Sequence, residues 1–433
     1  GAVEAGEGPE DEGTTADLIA DAEMSDLEEG ITEGEASVEK YEQAAATLES
    51  LIEALDESRQ TGGLTPQSAR FFQISFESVG ISLTGAPFKN AHGETAIPSL
   101  ESFGGTGRRD KATQVSMEAA EGWLKKIWEV LKATFAQIKE WLIKFYKMIF
   151  TETGRLRKRA QELKSSAGKL GDLKTKTNTM TTRKSLGDKI ALGNAININH
   201  LMDLVPFVKE AGTRGSEATR GVIQLRLDLQ NMIRNAAQGG KLSDTTAASG
   251  NSALSGELRS AVFSIPHEMD GVKGYKTKEL PGNVEFVAID PLSTGNVRDV
   301  VATVFRGWKV TKIEHGNSTT SDYTTAVLTP AQITSVADNV LAVLDAVDAA
   351  EEGLDEEALS LTNLTFPDEV PAAEARKIKA MAWITRQILL SQSSSISKIL
   401  RYAVTTSGGY LDFAANAIKS YEAPARKESA VAA

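Results

Sequence analysis

Apolar residues recur at steps of three and four along most of the chain, which is the spacing of an amphipathic α-helix. The first such run extends from Thr15 to about Arg59, with acidic residues between the apolar ones. A Thr-Gly-Gly break follows, and a short helix is predicted to begin near Pro66, because proline is favoured in a first helical turn. Further helices are predicted at about 186–210, 217–238, 371–404 and 408–421, together with one that is capped by Thr329 and opens at Pro330.

The longest apolar stripe lies in GWLKKIWEVLKATFAQIKEWLIKFYKMIF, residues 122–150. Seven large apolar residues form an unbroken heptad pattern there: Trp128, Leu131, Phe135, Ile138, Leu142, Phe145 and Ile149. Such a stripe usually packs against neighbouring helices in a core. The alternative is a helix at a membrane interface, where tryptophan and tyrosine favour the headgroup zone and lysine attracts anionic lipid. Core packing is the favoured interpretation, and the membrane interpretation stays open.

The middle of the chain differs from the rest. The segments SAVFSI, NVEFVAI and DVVATVFRGWKVTKIEH are rich in β-branched and aromatic residues, which predicts strands confined to about 258–326. The expected fold class is therefore mainly α (α+β): a multi-helix body with a long amphipathic helix and a small β-rich insert. The predicted divisions are an acidic helical leader at 1–118, a helical region at 119–240, a linker at 241–257, the β-rich segment at 258–326 and a C-terminal helical region at 327–433.

The net charge of −12 is unevenly distributed over the 433 residues. Residues 1–118 contain 24 Asp and Glu against 7 Lys and Arg, a net of −17, whereas residues 119–190 contain 17 Lys and Arg against 7 Asp and Glu, a net of +10. A basic block of this kind is typical of contacts with polyanions. Candidate DNA-contacting residues are Arg155, Arg157, Lys158, Arg159 and Lys164. Their contacts are expected to be independent of DNA sequence and to weaken steeply with salt, and the alternative is a solvated helix face.

Acidic residues are plentiful, but recognisable catalytic motifs are missing from the sequence. The chain has no cysteine, which excludes disulfides and thiol nucleophiles. The four histidines, His92, His200, His267 and His315, are too far apart in sequence for a local metal site. Phosphate-binding loops and the GxSxG nucleophile motif are also missing from the sequence. We therefore expect no enzyme, no cofactor, no catalytic residue and no metal site.

The order of these segments resembles that of the internal head proteins of phiKZ-like giant phages. Those proteins have an acidic helical leader, a cleavage point, a helix of the GWLKKIWEVLKATFAQIKEWLIKFYKMIF type and a long, mostly helical body. Residues 66–150 carry most of the resemblance, with a looser likeness in ILRYAVTTSGGYLDFAANAIKSY, residues 399–421. It implies a structural protein inside the capsid of the virion, packaged with the genome and in contact with other phage head proteins. The alternative is an ejected phage protein that enters the host and acts at its membrane through residues 122–150.

The resemblance also implies maturation by a phage prohead protease that cuts after glutamate in a small-x-Glu context. The favoured site is Ser116-Met117-Glu118, with Ala119 as the new N-terminus. The sequence predicts a loop over 83–110 and an extended polar segment at this site, where the charge changes sign. A single cut there releases the whole acidic block. Three weaker candidates end at Glu101, Glu77 and Glu39.

Overall fold

The computed structural model describes residues 12–89, 93, 103, 106–171, 173–238, 257–269, 271–290, 308–316, 320–351 and 372–422. Helix predominates among these residues, and the strands form small antiparallel sheets, which confirms the predicted mainly α (α+β) class. The chain divides into two compact units, Gly1–Trp141 and Leu142–Ala433.

Seven α-helices account for most of the described residues. They are α1 (Glu12–Gln60), α2 (Pro66–Thr84), α3 (Thr106–Leu170), α4 (Lys184–Ile190), α5 (Leu204–Ala237), α6 (Pro330–Glu351) and α7 (Ala372–Lys419), and a 3-10 helix at Ile198–Asp203 precedes α5. The eight strands are β1 (Thr179–Thr182), β2 (Ala191–Leu192), β3 (Ala195–Ile196), β4 (Ile265–Met269), β5 (Val272–Lys276), β6 (Val284–Ile289), β7 (Lys309–Glu314) and β8 (Tyr323–Ala326).

The predicted helix starts at Pro66 and Pro330 are confirmed, and local hydrogen bonds explain both. The Thr65 side chain accepts a hydrogen bond from the backbone N–H of Ser68, 3.2 Å away. At the second start the backbone N–H of Gln332 donates to Thr329 Oγ1 (3.2 Å), and the N–H of Thr329 donates to Gln332 Oε1 (2.9 Å). This reciprocal pair is a capping box, which satisfies backbone donors that the helix itself leaves unpaired.

In the first unit, α1 and α2 bury their apolar rows. The buried α1 row includes Met24, Ile31, Val38, Leu48, Ile52 and Leu55, and the buried α2 row is Ala69, Phe72, Phe76 and Val79. The turn between the two helices contacts the first turns of α3, because a Cβ added to Gly63 would lie 2.8 Å from Arg109 Cβ. The backbone N–H of Leu64 donates to Thr113 Oγ1, 3.2 Å away.

The prediction of a loop over 83–110 and an extended segment at 115–119 was wrong in one respect. Helix α3 already begins at Thr106, so the proposed cleavage triplet lies inside a helix. The sequence RRDKATQVSMEAAE, residues 108–121, consists largely of good helix formers. Small residues, Ala112, Thr113, Ser116 and Ala120, form its buried row. They allow close packing but lack the large apolar groups by which an amphipathic helix is usually recognised.

The second unit contains a four-stranded antiparallel meander in the order β4-β5-β6-β7. This sheet lies within the predicted 258–326 segment, but the expectation that strands are confined there was wrong. Strand β1 pairs with β8 in antiparallel register, with Thr179 opposite Ala326 and Thr182 opposite Tyr323. Strands β2 and β3 form a second short hairpin. Four alternating residues are too few for the sequence to indicate a strand whose partner lies far along the chain.

Two predicted helix boundaries also needed correction. The predicted helix at 186–210 is divided into α4, the β2–β3 hairpin, the 3-10 helix and the start of α5, which then continues through residue 217 without a break. The predicted helices at 371–404 and 408–421 are one helix, α7, which passes through Gly408 and Gly409. A Cβ at Gly409 would lie 2.8 Å from Ile190 Cγ2. This glycine therefore permits close packing against α4 and does not end the helix.

An aromatic cluster joins the sheet of the second unit to two of its helices. Phe286 of β6 lies with its ring centroid 4.7 Å from that of Phe207 on α5 and 5.2 Å from that of Tyr402 on α7. Phe263 packs on Phe207, and Trp308 packs edge-on against Phe263 at 6.0 Å. All five residues are buried. The cluster is the point at which the β-rich insert joins the helical body.

Candidate processing site and amphipathic helix

The favoured cleavage triplet is helical and partly buried. The Ser116 side chain is fully buried and its Oγ donates to the carbonyl oxygen of Ala112, 2.9 Å away. Glu118 is exposed, and its Oε1 accepts a hydrogen bond from Gln114 Nε2 at 3.3 Å. Met117 and Ala119 are half-buried. A protease can therefore reach the Glu118 carboxylate directly, whereas the Ser116 side chain becomes accessible only when the helix opens.

The weaker candidate sites differ in how the structure places them. Glu39 lies on α1 and Glu77 on α2, and both are therefore helical. The middle residues of their triplets, Val38 and Phe76, are buried. Glu101 lies outside the described residues. The choice among the four sites remains a prediction.

The heptad stripe of the long helix is buried wherever its side chains are described. Ile138, Leu142, Phe145 and Ile149 are each at most 1% exposed. The side chains of Trp128, Leu131 and Phe135 lie outside the described part of the structure. Beside the stripe, the Tyr146 hydroxyl donates to the carbonyl oxygen of Ser393 on α7 at 3.2 Å. Burial of this hydroxyl raises the pKa of Tyr146, so the donor stays protonated.

Each of the five predicted DNA-contacting cations has a carboxylate partner within the chain. Arg157 contacts Asp345 at 2.7 Å and Asp348 at 2.6 Å, both on α6. Burial lowers the pKa of Arg157, but the hydrogen bonds and charges of these two aspartates outweigh it and raise the pKa. The other four pairs are Arg155 with Glu152 (2.7 Å), Lys158 with Glu162 (3.9 Å), Arg159 with Asp412, and Lys164 with Asp338 (2.7 Å).

The pairs of Arg157, Arg159 and Lys164 connect the C-terminal half of α3 to α6 and α7, whereas those of Arg155 and Lys158 lie within α3. Arg157 and Lys164 reach α6, and Arg159 reaches Asp412 on α7. Partly exposed ion pairs contribute only about 0–1 kcal/mol each, so they orient these helices more than they stabilise them. A phosphate group that contacts Arg157 has to compete with Asp345 and Asp348, whereas Lys158 is 79% exposed and lies 3.9 Å from its partner. DNA contact at this row remains a prediction.

Removing the aspartates beside Arg157 tests that prediction. We expect the double variant Asp345→Asn and Asp348→Asn to elute from a DNA column at higher salt than the unsubstituted chain, because Arg157 is then free to contact phosphate. The control is Glu23→Gln with Asp26→Asn, which changes the net charge equally at two exposed acids of α1. Equal elution of both double variants would show that net charge alone, and not Arg157, governs retention.

Two of the described histidines, His315 and His200, lie beside carboxylates. His315 Nε2 lies 3.1 Å from Glu285 Oε2, and His200 Nδ1 lies 3.3 Å from Asp203 Oδ2. Burial raises the pKa of Glu285, but hydrogen bonds from Lys276 and His315 outweigh it, and the net shift is downward. In the described ranges, no cluster of three or more His, Asp or Glu is placed to hold a metal ion.

One structural feature was missed by the sequence analysis. Two glycines of α1, Gly30 and Gly34, form a notch against α3 in the first unit, where they face Trp141 and Ile138. The available signal was the heptad row of α1, in which Gly34 falls seven residues after Leu27, at a position where a large apolar residue is expected.

These features define a mainly helical protein with one long amphipathic helix, in which the described ion pairs lie both within helices and between elements of the fold. The family model for phiKZ-like phage internal head proteins matches residues 19–416, and the chain belongs to that family. The match extends well beyond residues 66–150 and 399–421, which carry the resemblance seen in the sequence.

No curated protein and no solved structure matches the chain. Membership in the family makes the protein a structural component located inside the phage head. The structural character of the family agrees with the expected non-enzymatic role.

Proposed function

We propose that this internal head protein is made with an acidic leader, residues 1–118, which the phage prohead protease removes after Glu118. The processed body is then packaged with the genome and contacts other head proteins. The observation that supports this proposal is the reversal of charge at the site. The leader has a net charge of −17, so its removal changes the charge of the chain from −12 to +5. An acidic leader repels DNA, whereas the weakly basic body is compatible with it.

The helical state of the site adds a step to this proposal. Proteolysis is favoured in exposed, locally unfolded segments. The backbone around Glu118 is helical, and the buried Ser116 side chain belongs to the triplet that the protease recognises. Cleavage therefore requires local opening of α3 before the protease can bind the triplet. The rate of cleavage follows the population of the open form when opening is fast relative to cutting.

The substitution Glu118→Gln tests the site. It preserves the size of the side chain but removes the carboxylate that we propose the protease pairs with. We expect virions carrying this substitution to contain the uncut chain, whereas unsubstituted virions contain a protein that begins at Ala119. Intact-mass measurement of virion protein distinguishes the two forms.

Matched substitutions at the weaker sites provide the control. Glu39→Gln, Glu77→Gln and Glu101→Gln make the same chemical change and are expected to leave the new terminus at Ala119. A wild-type terminus at any other residue, or normal cutting of the Glu118→Gln protein, would show that the assignment is wrong.

A further inference from the structure

Helix α2 carries apolar residues on two opposite faces. Its buried row packs within the first unit, and the other side of the helix presents Phe71, Ile74 and Ile81, which are 64%, 58% and 52% exposed. These three residues are separated by three and seven positions, so they form one row along the helix, which we call the outer face of α2. A helix with apolar residues on opposite sides is usually covered on both, so the outer face is expected to have a partner.

The outer face has a projecting side chain and a recess. The Phe71 ring packs edge-on against the buried Phe72, with centroids 6.1 Å apart, which restricts its motion. Next to Ile74, the small side chains of Ser75 and Ser78 line a groove of about 380 Å³ that extends to α1. A large side chain beside a gap between small ones suits a second helix, because a side chain of each helix then fills a space on the other.

The charges beside the outer face indicate which partner fits it. Arg70 and Glu77 lie on one flank of the row and are two helical turns apart. Arg70 is exposed, and no carboxylate of the described residues pairs with it. Glu77 is half-buried, and its Oε1 accepts a hydrogen bond from Gln73 Nε2 at 3.1 Å. When a second α2 runs antiparallel across the face, Arg70 of each copy lies beside Glu77 of the other, so the face is complementary to itself.

We propose that the outer face of α2 is a self-association site, at which two copies of the chain pack antiparallel about a two-fold axis. Phe71 of each copy enters the recess beside Ile74 of the other, and each contact occurs twice, as two-fold symmetry requires. Because α2 lies within residues 1–118, the proposed cut after Glu118 removes the contact, and the leader pairs the chains only until they are processed. The loss of the contact on cleavage rests on the proposed function, whereas the contact itself does not.

Other partners fit the outer face less well. The leader has a net charge of −17, so it repels DNA and anionic lipid, and neither offers a negative and a positive group at the spacing of Arg70 and Glu77. None of the described helices has the length and apolar character to cross a bilayer. Two leaders also repel each other. At about 0.15 M salt, however, charges more than about 8 Å apart are largely screened, whereas the apolar and ionic contacts of the face act at shorter range.

Sedimentation equilibrium of the full, unprocessed chain at about 0.15 M salt tests the association. We expect a reversible dimer, and we expect Ile74→Gln to raise its dissociation constant by at least about tenfold, because an apolar side chain is lost from both sides of the contact. Ile265→Gln is the matched control, since it makes the same change at an isoleucine of the second unit that is 39% exposed, and the dissociation constant should not change. An unsubstituted chain that stays monomeric at about 0.1 mM, or equal dissociation constants for both variants, would overturn the proposal.

Exchange of the two charges tests the orientation of the helices. Arg70→Glu and Glu77→Arg each place like charges opposite one another and should raise the dissociation constant about fivefold. The double variant restores opposite charges with the unsubstituted net charge, so its dissociation constant should return to within about twofold of the original value. Arg59→Glu, at an exposed arginine of α1, changes the net charge as Arg70→Glu does and should leave the dissociation constant unchanged. Failure of the double variant to restore association would overturn the antiparallel pairing.

The lack of cysteine in the chain permits a direct test by disulfide formation. In the proposed pair, the exposed Gln67 lies opposite the exposed Ser78 of the other copy, because these residues lie one turn beyond Phe71 and Ile74. A mixture of Gln67→Cys and Ser78→Cys chains should therefore form interchain disulfides. Either variant alone should not, because its two cysteines lie about 16 Å apart along the helix axis and a disulfide needs Cα atoms within about 7 Å. Cross-links in either variant alone, or none in the mixture, would overturn the arrangement.

These results do not depend on where the leader is cut, because the unprocessed chain is used. A failure of processing appears instead in the mass of the virion protein. Association adds to the apparent stability only at chain concentrations near or above the dissociation constant. Unfolding experiments on the dilute chain are therefore not affected by the loss of this contact.

Discussion

Replacing Phe286 with alanine is expected to destabilise the second unit by about 3–5 kcal/mol, the usual range for removing a buried phenylalanine. Phe286 is fully buried, and its ring contacts Phe207 and Tyr402 within the aromatic cluster. Its loss leaves a cavity bordered by a strand and two helices, which cannot all move inward to fill it. The Tyr402 hydroxyl, which donates to the carbonyl oxygen of Pro281 at 2.6 Å, restricts the collapse further. Urea unfolding followed by circular dichroism measures the loss.

Phe71→Ala is the control for this prediction. It makes the same chemical change at a residue of α2 whose side chain is 64% exposed. We expect a change within about 0.5 kcal/mol, as for surface substitutions in general. A similar loss of unfolding free energy in both variants would show that the aromatic cluster is not a major source of stability in the second unit.

Gly212→Ala is expected to lower stability by about 1–3 kcal/mol through overpacking between α5 and α6. An added Cβ would lie 2.9 Å from both Cα and Cβ of Ala350. The Cα belongs to the backbone of α6, so the clash cannot be relieved by rotating a side chain, and one helix has to move. The better helix propensity of alanine offsets about 1 kcal/mol at most. The thermal unfolding midpoint is the measurement, and we expect it to fall.

Gly154→Ala is the matched control, and we expect it to raise the thermal unfolding midpoint instead of lowering it. Gly154 lies on the exposed side of α3, and nothing lies within 4 Å of an added Cβ. Alanine there should stabilise the helix by about 0.5–1 kcal/mol. If both substitutions raise the midpoint, the close approach of α5 to α6 at Gly212 is not a source of strain.

Local sequence determined where most of the long helices lie. The apolar period of 3.6 residues in 15–59 and 122–150, and the capping residues Thr65 and Thr329, depend on interactions within a few positions of each other. Nearly the whole of α1 and the starts of α2 and α6 were therefore predictable. The same holds for β6, because a run of β-branched and aromatic residues indicates a buried strand without knowledge of its partner.

The long-range order of the chain also determined the family resemblance. An acidic block followed by a basic aromatic helix is visible without coordinates. The family match over residues 19–416 confirmed the resemblance. The candidate cleavage triplet follows from the resemblance and from its position at the change of charge. Its local conformation did not follow, because the buried row around Ser116 is composed of small residues that carry no apolar periodicity.

Only the tertiary structure determined the contacts between elements that lie far apart in sequence. The pairing of β1 with β8, the continuity of α7 through Gly409 and the carboxylate partners of Arg157 all involve groups from separate parts of the chain. The Gly34 notch belongs to the same class. A glycine in a sequence is equally compatible with a break and with a close approach. Whether a glycine ends a helix or permits a close approach depends on the atoms that pack against the glycine, and these belong to another segment of the chain.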